Sequence, residues 1–389
     1  MSAGWTAFAL ELGKLRQWLF EQALPLWSTV GVDRAGGGFF EKLTPAGHPI
    51  EEPRRARVTG RQIYSFAMAE KLGWVGPART LLRYALTNLE THYLGPAGLV
   101  ISTVDRAGKV LAADFDLYDH AFVLFGMAAA ASVGEQKGRL ERRAIALRQA
   151  MKAGFGHPVA GFEEAKPRRL PLKANPHMHM LEASLAWAEV SADPGWPALA
   201  DEIVELCLAR FLDPATGALR EYFDGDWRLV DDAANSVVEP GHQFEWAWLL
   251  TRWGRMRGRK DALAAAARLI AIGEGAGVDP TRGLAVNELN VDLSLRDGLC
   301  RLWPQTERIK VHAIVAATAP TAAESDTQAA LAAQAARGLR RYFEHPVAGS
   351  WYEHLGLDGK PLAEPARTSS LYHITCAIAE MTAQAASRA

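Results

Sequence analysis

Histidines and carboxylates recur in this chain at spacings that suit proton transfer, inside six short strings that each read as the start of a helix. R-A-R-V-T-G-R carries Arg57 and Arg61, and D-F-D-L-Y-D-H carries Tyr118, Asp119 and His120. N-P-H-M-H-M-L-E carries Asn175, His177, His179 and Glu182, and E-P-G-H-Q-F-E carries Glu239, His242 and Glu245. R-L-W-P-Q-T-E-R carries Trp303, Gln305, Glu307 and Arg308, and S-S-L-Y-H carries Tyr372 and His373. The pattern H-x-x-E occurs as His179–Glu182 and as His242–Glu245. Residues three apart share a helix face, so each glutamate is placed to hold its histidine's second ring nitrogen and raise its basicity. A histidine poised near neutral pH is the usual general acid or base.

Not every polar residue in these strings asks for a chemical role. His177 and His179 stand two apart, so only one can face inward; His179, with Glu182 at i+3, takes that place and His177 is left to pack or cap. His120 sits in an apolar helix and reads as structural. Trp187, Trp246 and Trp248 fall at core spacing, and Cys376 reads as a small core residue. His373 has no carboxylate at i+3, and its own surroundings leave it open between a core and a catalytic histidine. Asn175 and Ser370 are expected helix caps. No metal or cofactor is expected. Di-iron bundles place Glu before His, whereas here Glu follows, and H-E-x-x-H is absent. A glycosidase would find its paired carboxylates among Glu239, Glu245 and Glu307, but it would not need histidines at three helix starts.

The elements that must position these strings are copies of one unit. Gly38, Gly98, Gly161, Gly217, Gly283 and Gly349 lie 56 to 66 residues apart, each just before a short extended run, and two of the turns are the same H-P-V-A-G string. Self-similarity at a fixed period means a repeated supersecondary unit. Apolar residues recur at helical spacing in 5–24, 56–73, 76–92, 116–134, 136–154, 176–192, 196–211, 240–256, 259–275, 303–319, 324–344 and 370–386. These are six helical pairs, the number of an all-α (α/α)6 barrel, with short β-hairpins in the long loops. A closed ring is preferred to an open solenoid because the polar strings all open the second helix of a pair. In a ring these starts share one mouth; in a solenoid they would spread along a groove. The whole span 1–389 reads as one such barrel. Its mouth suits a polar small molecule. Trp303 and Tyr118 offer faces for sugar C–H groups, while carboxylates and arginines can bond hydroxyls.

Composition narrows the partners. The chain has 389 residues, 43 Lys and Arg against 44 Asp and Glu, and a net charge of −1. No basic run points to nucleic acid. Its three cysteines, Cys207, Cys300 and Cys376, show no disulfide or zinc spacing. No signal-peptide pattern opens the chain and no apolar window is long enough for a membrane span, so a soluble cytoplasmic protein is expected. No P-loop is present to support a nucleotide requirement.

The order N-P-x-M-H-x-x-E, E-P-G-H-x-x-E, W-x-Q-x-E and a histidine on the last inner helix resembles the N-acylglucosamine 2-epimerase superfamily, from Arg57 to His373. The resemblance implies an (α/α)6 barrel and metal-free proton transfer beside a sugar carbonyl through a cis-enediolate. It implies His373 as the base moving a proton between C2 and C1, and His242 as the second acid or base, oriented by Glu245. Arg57 would stabilise the enediolate oxygen, and Asn175, His179, Tyr118 and Trp303 would bind the sugar. The carboxylates Glu182, Glu239 and Glu307 join them as candidate sugar ligands. Around the last histidine the chain reads A-R-T-S-S-L-Y-H-I-T-C, without the K-G pair and the following arginine of the epimerase members and without the preceding tryptophan of the disaccharide epimerases; Thr368 and Ser369 stand nearby instead. That favours a monosaccharide and an aldose–ketose isomerase of the D-mannose to D-fructose type. A 2-epimerase acting on N-acylglucosamine, glucose or a disaccharide is the alternative, and a non-catalytic carbohydrate-binding protein a remoter one. Arg308 and Lys310 read as solvated helix charges in preference to phosphate ligands. A homodimer through outer helices, common in the family, is the candidate assembly.

Overall fold

The computed structural model describes residues 2–95, 98–232 and 234–388. In chain order its helices are α1 (Ala3–Trp18), α2 (Leu24–Thr29), α3 (Ala56–Lys71), α4 (Ala78–His92), α5 (Leu117–Ser132), α6 (Lys137–Phe155) and α7 (Ala174–Val190). They continue as α8 (Gly195–Leu206), α9 (Pro240–Arg257), α10 (Lys260–Gly275), α11 (Leu302–Thr318), α12 (Ala322–Arg340) and α13 (Ser370–Ala386). A π-turn at Leu19–Ala23 fuses α1 and α2 into one long helix. There Leu24 N–H bonds Leu19 O, a widened turn that carries the helix past Pro25, which has no N–H to give. The helix expected at 5–24 therefore runs on to Thr29.

The odd helices α3 to α13 form an inner ring: each packs on the next, and α13 packs back on α3. The others wrap outside, and α1 closes that layer by packing on α12 and α13. Aromatic rings seal the seam, with Trp27 stacked on Trp351 at 4.6 Å. The fold is thus the (α/α)6 barrel. Inner helices are buried all round: every residue of α5 from Asp119 to Ala131 is buried. Outer helices bury a single stripe, as Ala78, Leu81, Leu82, Ala85, Leu86 and Leu89 do in α4. Among the described residues, no helix is long and apolar enough to cross a membrane.

The six repeat glycines all adopt φ between +67° and +83°. A Cβ disfavours that conformation, which is why glycine recurs there. Each turn sends a short extended segment toward the mouth. In four units the fourth residue of the inner helix latches the preceding hairpin. His120 Nε2 accepts Val100 N–H at 3.1 Å, and His177 Nε2 accepts Phe162 N–H at 3.0 Å. Gln243 and Gln305 accept Leu219 N–H and Ala285 N–H at 2.8 and 2.9 Å.

A second set of bonds stitches the rim. A residue at the entry to an inner helix is held by a side chain of its own unit's hairpin. Arg55 N–H donates to Glu41, Lys173 N–H to Glu164, Arg301 N–H to Asn287 and Arg367 N–H to Glu353. The next residue donates to the backbone of a neighbouring hairpin: Ala56 to Ser102, Ala174 to Glu221, Leu302 to Glu353 and Thr368 to Glu41. Asn175 and Ser370 do not cap their helices, because the chain enters both inside this stitching. Asp116 is the residue that caps, accepting Asp119 N–H at 2.9 Å.

Candidate active site

The inner helix starts converge on a cavity of about 600 Å³ at one end of the barrel. Arg57, Arg61, Tyr118, Asn175, His179, Glu239, His242, Glu245, Trp303 and His373 all line it. Glu182 and Glu307, expected to touch the sugar, do not line it; they lie fully buried behind the histidines.

Trp303 lies between two of those histidines. Its ring centroid is 5.0 Å from that of His242 and 5.8 Å from that of His373. The E-P-G-H glycine makes room for it: a Cβ on Gly241 would stand 2.4 Å from the indole. His242 Nδ1–H donates to Glu221 at 2.9 Å, with Glu239 at 3.7 Å. The expected orienting residue, Glu245, does not hold His242. Its carboxyl turns into the barrel, 3.9 Å from both His179 Nδ1 and Lys310 Nζ. Burial disfavours charge on His242, but the carboxylates of Glu221 and Glu239 outweigh it and push its pKa up to about 10.

His373 sits in the opposite state. Its Nδ1–H donates to Glu307 at 2.9 Å, yet burial dominates and brings its pKa down to about 4. Lys310, also fully buried, holds Glu307 from the other side at 2.5 Å and satisfies its charge. At neutral pH the cavity therefore presents an imidazolium at His242 and a neutral imidazole at His373. His179 is also neutral, brought down to about 4 by burial despite its 3.3 Å bond to Glu182. The i+3 pairing read from H-x-x-E holds for His179 and fails for His242. Glu182 is held at about 2: burial pushes it up, but His179, Lys310 and the Tyr372 hydroxyl outweigh that. Burial and the nearby Glu307 raise Glu245 well above the carboxylate range.

The two arginines of the first inner helix differ. Arg57 is clamped by Asp119, with Nε–Oδ1 at 2.7 Å and Nη2–Oδ2 at 3.0 Å. Arg61 is only 6 % exposed, and no carboxylate lies within ion-pair distance of it among the described residues. Its Nη2 donates to the Tyr118 hydroxyl at 2.6 Å, its Nε has no partner, and Phe122 packs 4.0 Å below the guanidinium. A buried cation without an anion, on a cavity wall, is prepared for an anionic ligand. Asn175 Oδ1, also buried and unpartnered, faces the same space.

Arg308 and Lys310 are not solvated charges. Arg308 is buried against Glu274, with Nη2–Oε2 at 2.8 Å, and Lys310 lies inside the wall. Cys376 is buried beneath the site, its thiol pushed up to about 12 by burial. The residues that sequence reasoning missed are Glu221 and Arg61's open guanidinium. Glu221 occupies the hairpin position that holds backbone in other units, a signal visible only once the six hairpins are superposed. Two groups, His242 with Glu221 and Glu239, and His179 with Glu182 and Glu245, each bring three potential ligand atoms within 4.8 Å of one another.

The barrel gathers histidines, carboxylates, arginines and an indole around one cavity. Residues 38–377 match the N-acylglucosamine 2-epimerase (GlcNAc 2-epimerase) family, and the chain belongs to it as a sugar isomerase or 2-epimerase. It is 44% identical over 375 residues to a mannose-6-phosphate isomerase of Rhizobium meliloti, covering 96% of this chain and 97% of that one. It is 29% identical over 262 residues to a D-mannose isomerase of Thermobifida fusca, covering 63% of each. Among solved structures, the cellobiose 2-epimerase of Spirochaeta thermophila superposes with a TM-score of 0.86 at 20% identity, over 99% of both chains.

Proposed function

We propose that the chain is an aldose–ketose isomerase for a mannose-configured hexose, working on the open-chain sugar. The observation that carries this reading is the pair His242 and His373, an acid and a base on either side of Trp303. Pairs of titratable groups whose surroundings push their proton affinities apart mark acid and base roles. In the forward direction His242 gives a proton to O1 while neutral His373 takes the C2 proton, leaving the enediol. His242 then recovers the O2 proton as C2=O forms, and His373 delivers its proton to C1. Arg61, lacking a counter-anion, would stabilise negative charge developing on the enediol oxygens. Arg57, already clamped by Asp119, is better suited to holding the wall. Glu307 and Glu221 fix the ring nitrogens that do not react, and Lys310 keeps Glu307 charged.

The mannose configuration is supported by the names of the two curated relatives, which differ over a phosphate on the sugar. Among the described residues lining the cavity, only Tyr118 and Trp303 supply Phe, Tyr or Trp rings, and Ser369 lines it near the last inner helix. Such a lining offers little stacking for a second sugar ring. A 2-epimerase remains the second reading because His242 and His373 flank Trp303 and could address opposite faces of C2. Proton NMR with D-mannose in D2O, after chelator treatment, tests both. Fructose with partial retention of the migrating hydrogen is expected. Glucose carrying deuterium at C2 would instead establish the epimerase, and no turnover of mannose or its phosphate would overturn the isomerase reading.

A further inference from the structure

Seven cations line the cavity, and three of them are neutralised in place. Lys42 pairs with Glu52 at 2.7 Å, Arg55 with Glu41 at 2.5 Å and Arg57 with Asp119. Arg301 and Arg367 also line the mouth, but among the described residues neither guanidinium takes part in an ion pair or hydrogen bond. Each is the last residue of a two-residue strand that leads into an inner helix, Arg301 directly before α11 and Arg367 three residues before α13. Arg301 precedes Trp303 by two residues and Arg367 precedes His373 by six.

One residue ties the two segments together. The backbone carbonyl of Glu353 accepts Leu302 N–H at 2.9 Å, and its carboxylate accepts Arg367 N–H at 2.8 Å. That carboxylate also takes neutral donors, Trp351 Nε1 at 2.8 Å and Ser370 Oγ at 2.9 Å, and it faces the Arg367 guanidinium without forming an ion pair. Glu239 and Glu288 face Arg301 more distantly, without an ion pair. Among the described residues, Arg301 and Arg367, like Arg61 and Lys173, are thus lining cations without an ion pair, and they line the same cavity as Trp303 and His373. Uncompensated like charges repel, and their arrangement is satisfied by an anion that both can reach. The planar guanidinium fork matches phosphate oxygens, which it binds through charge-assisted pairs.

We propose that Arg301 and Arg367 form a phosphate subsite, and that the substrate is a hexose carrying a phosphate monoester at the carbon farthest from C1. With C1 and C2 held between the histidines, an extended sugar places C6 toward the rim. This inference rests on the isomerase reading for the sugar's orientation, but the subsite can be tested without turnover.

The test is titration calorimetry of the unmodified protein with D-mannose, D-mannose 6-phosphate and inorganic phosphate, repeated on R301Q, R367Q and the double variant. Mannose 6-phosphate is expected to bind on the order of a hundredfold more tightly than mannose, with about a tenfold loss for each arginine removed. Inorganic phosphate should compete with the phosphorylated sugar and lose its binding in the double variant. Equal affinity for the two sugars in the unmodified protein overturns the subsite, and so does a phosphate preference that survives the double variant. Even if the variants fold poorly, equal affinity for the two sugars on the unmodified protein overturns the subsite. Absence of turnover with tight phosphate-dependent binding would sink the isomerase reading alone; turnover of mannose with no phosphate preference would sink the subsite alone.

Discussion

His242 and His373 bracket the indole of Trp303, yet their proton affinities are pushed in opposite directions. Each gives its Nδ1–H to a buried glutamate, so the first partner is not what separates them. The difference lies further back. Glu307 is neutralised from behind by Lys310, whereas Glu221 is reinforced by Glu239. A local charge balance leaves one of two like side chains holding its proton and the other without one.

The pH profile should carry that signature. His373 must be neutral to accept a proton, so activity should rise as pH climbs through about 4. His242 must be charged to donate, so activity should fall as pH climbs through about 10. A wide plateau of kcat/KM across neutral pH is expected. E221Q removes the main charge supporting His242 and should draw the alkaline limb downward. An unmoved alkaline limb in E221Q would show that Glu221 does not set the acid.

Replacing the base should be costlier than replacing a binding group. H373N is expected to lower kcat by ~10²- to 10⁴-fold, the range typical of general acid–base groups. It should also stop loss of deuterium from C2-labelled mannose into water, followed by NMR. Label loss continuing at the original rate would remove His373 from the proton path.

Arg57 and Arg61 should separate in kinetics. R61M removes the cation that has no anion of its own, and kcat should drop by roughly 10²- to 10³-fold, as when an oxyanion donor is lost. R57M leaves Asp119 buried and unpaired, and its main effect should be a lower melting temperature. The reverse pattern would return the oxyanion role to Arg57.

Lys310 should matter chiefly through Glu307. Stripping one partner from a buried ion pair typically costs about 3–5 kcal/mol. K310M should therefore be strongly destabilised in urea unfolding, and E307Q/K310M less so than the sum of the single changes. Additive losses would mean that the two side chains are not coupled.

Much of this architecture is written in local pattern. The six glycines announce the repeat because positive φ is a residue-level demand, and helical periodicity places the pairs because each amphipathic stripe must be covered. The convergence of the six polar strings follows once the ring closes. His179 and Glu182 were legible because both lie on one helix turn. Glu221 and Glu307 were not legible as partners of His242 and His373, since each comes from a different segment brought near by closure. The H-x-x-E pattern misled at His242 because Glu245 faces inward toward Lys310, while the hairpin reaches the imidazole first. Likewise Arg308 and Lys310 look like solvent charges in sequence, and only the buried glutamates beside them explain their place in the wall.

The stitching of the rim works like the hoop of a cask. Where an inner helix is entered through one bond to its own hairpin and a second to a neighbouring hairpin, tension applied to one stave passes to the next. A hoop of this kind resists the opening of one unit at a time. On the proposed function, it predicts that sugar enters an aperture already at its working shape, and that selection among sugars is by fit at a fixed gauge, not by closure around the guest.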